Sequence, residues 1–406
     1  MKRWLVVIGA ILIQINLGAV YAWSLFNQPL IEKFGWDRED IVVTFSITIF
    51  MLAACAFIAG RIQDKIGPRW VATIGGILLG LGVMLASQAT TIYQLYLFYG
   101  IVGGAGIGIT YVCPLSACVK WFPDKRGLIS GVAVAGFGLG GLIYKPIILF
   151  LIDNFGVSSA FLYLGIIYFV LVVLGAQLLS NPEAGDELNS HQSDGEALTV
   201  VSEQYSPKEM LGTYQFYLLW FMYLFGTMAG LLVISFAVDI GLELVKLDVV
   251  TASNAVMVIA LFNAGGRIIL GKISDNIGRI NTLILMYGTT TLIMLYMSFG
   301  TMNYLTFLIS VSLIGFCFGG FLALFPSVTA DFYGTKNIGA NYGIMYLAYG
   351  ISAFVGPIII KYISFSSAFL LAAIISLIAI ILAKVIVTPK MQTVVDFSNE
   401  PLEKVN

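Results

Sequence analysis

The chain has 406 residues, of which 59% are hydrophobic and 11% charged, against about 25% charged in a soluble domain. No soluble fold hides that much apolar surface, so the composition specifies a polytopic membrane protein whose surroundings are a lipid bilayer. The formal net charge of −1 gives no basis for nucleic-acid binding.

A helix that crosses a bilayer needs about 20 mostly apolar residues. Twelve such stretches follow one another, at approximately 4–30, 40–60, 70–89, 93–119, 128–152 and 157–179, then 214–238, 249–271, 281–299, 303–330, 338–360 and 366–387. Lys2 and Arg3 before the first stretch resemble the start of a signal peptide. The run from Trp4 to Leu30 is too long for one and has no small-residue cleavage site, so a retained first helix is expected. Between the sixth and seventh stretches, Ser180 to Thr213 is rich in Glu, Asp, Ser, Asn and Gly. It cannot bury a core and is expected to be a mobile linker. The expected fold is therefore an all-α membrane protein of twelve transmembrane helices in two pseudo-symmetric six-helix bundles. The first covers 1–180 and the second 214–388, with a linker at 181–213 and a tail at 389–406.

Orientation follows from the basic residues. Of the 21 Lys and Arg, Lys33, Arg38, Lys246 and Lys361 fall on the side opposite the linker, and Lys145 and Arg267 lie inside helices. The remaining fifteen lie on the linker side, which places both termini and the linker in the cytoplasm. The cysteines, Cys55, Cys113, Cys118 and Cys317, all sit in apolar stretches, and the single histidine, His191, is in the linker. They have no metal-ligand spacing and form no disulfide framework, so no metal, no cofactor and no enzyme activity are expected.

The two halves repeat. Gly60, Asp64 and Gly67 follow the second helix, and Gly271, Asp275 and Gly278 follow the eighth, each 211 residues further on. Two such segments in register, each after the second helix of a six-helix half, predict matching conformational latches. Their glycines would serve tight turns and close helix approach, and their Asp would pair with loop cations or a helix N-terminus. The glycines clustered in the fourth and fifth helices, among them Gly104, Gly108, Gly136 and Gly140, read as close helix packing.

With these features the chain resembles the major facilitator superfamily, whose G-x-x-x-D-[RK]-x-G loop follows helix 2 and recurs after helix 8. Within it, several segments resemble the oxalate/formate antiporter family, a relative of the monocarboxylate transporters. They are Tyr21-Ala22-Trp23-Ser24-Leu25-Phe26, Lys120-Trp121-Phe122-Pro123-Asp124-Lys125-Arg126-Gly127, Asn263-Ala264-Gly265-Gly266-Arg267 and Asn341-Tyr342-Gly343. The resemblance implies alternating access in a bacterial inner membrane. Family members that exchange the dianion oxalate carry an arginine in helix 8, matched by Arg267, and a lysine in helix 11 where this chain has Tyr349. That departure resembles the family branch assigned to bacterial pyruvate transport and favours a smaller monocarboxylate such as pyruvate, lactate or formate.

Lys145 and Arg267 carry the functional expectation. An ionised side chain at bilayer depth costs roughly 2.5–3.5 kcal/mol on insertion scales, and no acidic residue lies deep enough to pair either one. A planar guanidinium matches a carboxylate with two hydrogen bonds and stays charged when desolvated, so Arg267 leads the candidates for substrate binding. Lys145 follows as a replacement for the missing lysine. Tyr111, Tyr21, Tyr346 and Tyr349 can offer hydroxyls, and Asn263, one turn before Arg267, can orient the guanidinium or touch substrate. The expected partners are a small carboxylate anion and, in a symport scheme with Lys145 as carrier, protons; the expected oligomeric state is a monomer. The alternatives are an oxalate/formate-type dicarboxylate antiporter and a proton-coupled drug efflux pump, which the two cavity cations disfavour.

Overall fold

The computed structural model describes residues 2–122, 126–182, 204–334 and 337–388; of residues 2, 64, 65, 119, 120, 126–133 and 339 it describes the backbone alone. Most of the expected linker (183–203), the tail at 389–406 and the loop residues 123–125 lie outside the described residues. Every element described is helical. The helix α1 runs over Lys2–Gly18 and, past a 3₁₀ turn at Ala19–Ala22, over Ser24–Phe34. It is followed by α2 (Arg38–Ile66) and α3 (Pro68–Ala86). Next, α4 combines Ile92–Leu95, a π-helical stretch Tyr96–Gly103 and Gly104–Trp121.

Among the described residues, eleven continuous helices are long and apolar enough to span a membrane, and one of them, Val134–Gln177, has 44 residues. Gly156, at φ 76 and ψ 164, divides it. That backbone region is essentially glycine-only, so the chain turns there into two crossings, α5 (126–155) and α6 (157–177). The expected count of twelve follows.

In the second half, α7 is Tyr214–Ser235, continued past Phe236 by a segment Ala237–Leu244. Then come α8 (Val249–Ala252 and Asn254–Ile277), α9 (Arg279–Phe299), α10 (Tyr304–Tyr333), α11 (Ile338–Ile360) and α12 (Phe365–Val385).

Two helices overrun their expected ends. α2 continues to Ile66 and α8 to Ile277, so the expected latch loops are the last turns of these helices, closed by Gly67 and Gly278, each at φ 89. Hydropathy marks where a helix leaves the apolar layer, whereas the backbone turns only where glycine admits a positive φ.

Each half packs internally through small residues. A methyl group on Gly18 would collide with the Phe137 carbonyl, and one on Gly140 with the Gly18 backbone, so α1 and α5 cross at backbone contact. α8 and α10 meet the same way, Gly319 against the Asn263 carbonyl. The halves join where α2 packs on α11 and α5 on α8. That pairing brings α1, α4 and α5 face to face with α8, α10 and α11 around the middle of the molecule.

Candidate functional site

Arg267 lies in the linker-side half of α8, only 5% exposed. Its Nε donates to Asn263 Oδ1 at 2.9 Å, one turn earlier, and its Nη1 to the Val134 carbonyl of α5 at 3.3 Å. The guanidinium carbon stands 5.8 Å from the centre of the Phe137 ring. All these partners are neutral. The cation is held by dipoles and a ring face, and among the described residues no acidic side chain is paired with it.

Around it stands an aromatic box assembled from both halves. The Tyr21 hydroxyl, on the 3₁₀ turn of α1, shares a 3.0 Å hydrogen bond with the Tyr349 hydroxyl of α11. The Tyr21 ring sits edge-on to Phe137 and Phe318, at 5.1 and 5.7 Å. Tyr111 of α4 lies parallel to Tyr346 of α11 at 6.2 Å, and Tyr346 stacks in turn on Tyr349 at 5.0 Å. The structure therefore gathers Arg267, Asn263, Tyr21, Tyr111, Tyr346 and Tyr349 into one place.

Lys145 is elsewhere. Its Nζ donates to Asn254 Oδ1 at 2.6 Å, and Asn254 Nδ2 donates to the Tyr304 hydroxyl at 2.9 Å. Asn254 opens the main segment of α8, 13 residues before Arg267, which at 1.5 Å per residue is about 20 Å away along the axis. The two cations expected in one site are thus at different depths, and Lys145 ties α5 to α8 at the end remote from the linker.

Sequence reasoning missed several members of the box. Phe137 and Phe318 are its walls, and Tyr342 joins it through Tyr346, at 5.5 Å. Tyr342, Tyr346 and Tyr349 at helical spacing mark one face of α11, which was the available signal. Gln14 of α1 has no such signal: its Nε2 donates to the Tyr111 carbonyl at 3.3 Å, and its buried Oε1 has no hydrogen-bond partner. Asn263 Nδ2 is likewise buried and unpaired.

At the expected latch of the second half the structure shows a set of polar contacts. Arg279, next after Gly278, pairs with Asp275 at 2.6 Å and with Asp331 of α10 at 3.3 Å, and it also hydrogen-bonds Ser274. Asp331 was not expected. Gly60 and Gly271 face open space, so the close helix approach expected of them is not made. The side chain of Asp64 lies outside the described residues; Gly67 adopts the same turn as Gly278.

Comparison with known proteins gives concordant results. A family model described as Major Facilitator Superfamily matches residues 6–357 and 288–403. Over 351 residues the chain is 36% identical to an uncharacterised MFS-type transporter, YhjX, of Escherichia coli, covering 86% of each chain. It is 31% identical to the oxalate:formate antiporter of Oxalobacter formigenes, over 96% of this chain and 92% of that one. It is 24% identical to apicoplast pyruvate carrier 1 of Toxoplasma gondii, over 85% and 81%. Among solved structures, a mutant of the nucleoside transporter NupG superposes with a TM-score of 0.68 at 12% identity, covering 93% of this chain and 99% of that one, which shows a shared fold.

Proposed function

The chain belongs to the Major Facilitator Superfamily and is a transporter, not an enzyme, and on that premise we propose that it carries small monocarboxylate anions by alternating access, with Arg267 as the carboxylate ligand. One observation carries this reading: a guanidinium buried between the halves with neutral partners only. Two carboxylate oxygens fit its donor fork, while the unpaired Nδ2 of Asn263 and the linked hydroxyls of Tyr21 and Tyr349 can serve the rest of the ligand. The relatives named for oxalate:formate exchange and for pyruvate support the carboxylate class.

The geometry favours a monoanion over oxalate. A dianion needs a second cation at ligand distance, and Lys145 is held instead at Asn254, whose backbone is about 20 Å from that of Arg267 along α8. The position on α11 nearest the Tyr21 hydroxyl holds Tyr349, which is neutral. A cationic drug needs an acidic residue, and the box residues named above include none.

The same separation favours anion exchange over proton symport through Lys145. A substrate at Arg267 is too distant to restore charge to that lysine, whereas exchange keeps Arg267 paired in both directions of travel. Moving an uncompensated anion into a negative-inside cell costs about 2.3 kcal/mol per 100 mV, and exchange of like charges cancels that term. In this reading the linker end faces the cytoplasm of a bacterial inner membrane, and a monomer suffices because one chain supplies both halves of the site.

Direct binding to purified protein tests the reading. Lactate, pyruvate, formate, acetate and oxalate are titrated, and at least one monocarboxylate is expected to bind the native chain. Arg267→Ala should abolish that binding, and Arg267→Lys, a point charge without the fork, should retain a weak remnant. Undiminished binding by Arg267→Ala would overturn the assignment.

A further inference from the structure

The end of the molecule remote from the linker holds a buried acid that carboxylate binding does not use. After Ser235 the backbone of α7 breaks at Phe236 (φ −119, ψ 19) and resumes as Ala237–Leu244. This carries Asp239 into the seam between the halves, where it is 3% exposed. Its Oδ2 accepts from Asn27 Nδ2 of α1 at 2.8 Å, and the same amide nitrogen donates to the Ser235 carbonyl at 3.1 Å. The other atom of that amide, Asn27 Oδ1, is buried with no hydrogen-bond partner.

We propose that Asp239 is a proton-binding site that seals this end: the gate shuts on the neutral acid, and the proton leaves when the halves part. A carboxylate has no hydrogen to offer Asn27 Oδ1. A carboxylic acid has one, and it can meet a primary amide through two hydrogen bonds at once, receiving N–H on one oxygen and donating O–H from the other. Protonation therefore supplies the partner that the closed gate lacks.

The charges around Asp239 do not provide an alternative. From the start of α2, Arg38 is the nearest cation, but it is paired with Glu243 and, at 3.3 Å, with Glu39. Asp37 and Glu39 stand on the same rim, and Glu39 adds repulsion. On α1, Glu32 is held by Gln28 and Lys33 by Ser158. From α8 and α10, the segment is met by Ala252 and Phe307 against Gly241. The balance is set by burial, which pushes the Asp239 carboxyl up to about 6 despite the Asn27 bond and Arg38. A cleft of about 490 Å³, lined by Gln28, Trp36, Arg38, Glu39 and Glu243 as well as Asp239, lies beside the acid and can exchange its proton.

The sign follows from the raised value. When the halves part, the carboxyl meets water and returns to its ordinary range, so the closed state holds a proton that the open state releases. Falling pH therefore favours closure, from about 6 down to the ordinary carboxylate value, below which both states are protonated and nothing more is gained. The proton enters and leaves on one side, so it gates transport without crossing the membrane.

Spin labels on Tyr93→Cys and Tyr362→Cys, exposed at this end on α4 and just past α11 in opposite halves, report the gate in full-length protein in lipid nanodiscs. No carboxylate is added, so the result is independent of the substrate assignment. In the otherwise native chain the closed-to-open ratio should rise about tenfold between about pH 8 and pH 5. With Asp239→Asn added, which keeps an amide-to-amide pair with Asn27, the short distance should dominate at both pH values. A native chain insensitive to pH overturns the proposal by itself, whether or not the variant folds. So does a variant that keeps the native pH response, or one that stays wide at both values.

Discussion

Arg267 and Asn263 sit one turn apart on α8, and the asparagine amide has two separable tasks. Its oxygen holds Arg267 Nε at 2.9 Å, and its nitrogen is idle. Asn263→Ala removes both and should weaken carboxylate affinity about 10-fold or more, since a hydrogen bond to a charged group is worth about 1.5–3 kcal/mol. Asn263→Asp is the sharper test. An aspartate there keeps the bond to Nε but neutralises the guanidinium, so carboxylate binding should be lost while thermal stability is kept or raised. If Asn263→Asp binds substrate normally, the anion does not sit on Arg267. Tyr349→Phe is milder: it removes the hydroxyl that pairs with Tyr21 at 3.0 Å and should cost about 0.5–1.5 kcal/mol of affinity, roughly 2- to 10-fold in titration.

At the scale of elements, the helix ends depend on glycines in a backbone region closed to other residues. Gly67 after α2 and Gly278 after α8 share φ 89 and ψ near 155, and Gly156 between α5 and α6 is close to them at φ 76 and ψ 164. A side chain at such a position costs about 1–3 kcal/mol. Gly156→Ala should therefore lower the thermal midpoint of the purified protein while leaving carboxylate affinity within about 2-fold, because a Cβ there meets no neighbour and the penalty is purely conformational. An unchanged midpoint would mean the α5–α6 joint can turn without that backbone angle. These joints explain what was legible in the sequence. Gly67 and Gly278 recur at a fixed offset and could be found by repeat, whereas the helix ends beyond residues 60 and 271 could not be found from hydropathy. The last turns of α2 and α8 carry Arg61, Gln63, Lys272 and Asp275, which look like loop but form helix, because a helix can project beyond the apolar layer.

For the whole molecule, the contacts between halves describe a state closed at the end away from the linker. Asn27 meets Asp239, Arg38 meets Glu243, Asp40 meets Lys361 at 3.8 Å, and Lys145 meets Asn254. The exposed ion pairs among these are individually weak. The buried pair, Asn27 with Asp239, and the half-buried pair, Lys145 with Asn254, are the ones that can hold the seam. None of this was open to sequence reading, because Tyr21 and Tyr349, or Asn27 and Asp239, are more than 200 residues apart and meet only once α1 faces α7 and α11. The depth of the cations was countable: Arg267 lies four residues from the expected linker-side end of its helix, at 271, and Lys145 seven from the opposite end of the fifth, at 152. Treating both as one site ignored that count. The separation leads to a prediction for Lys145→Gln, which removes the charge but can still hydrogen-bond Asn254. Carboxylate affinity should stay within about 3-fold of native, since a charge held at Asn254, about three turns of α8 from Arg267, is screened and contributes little. Proteoliposomes preloaded with substrate should still exchange it in this variant, and an imposed pH gradient without internal substrate should drive no uptake in the native protein. Loss of binding in Lys145→Gln as complete as in Arg267→Ala would show that the two cations meet around one anion in another conformation, and would return oxalate to the list of substrates.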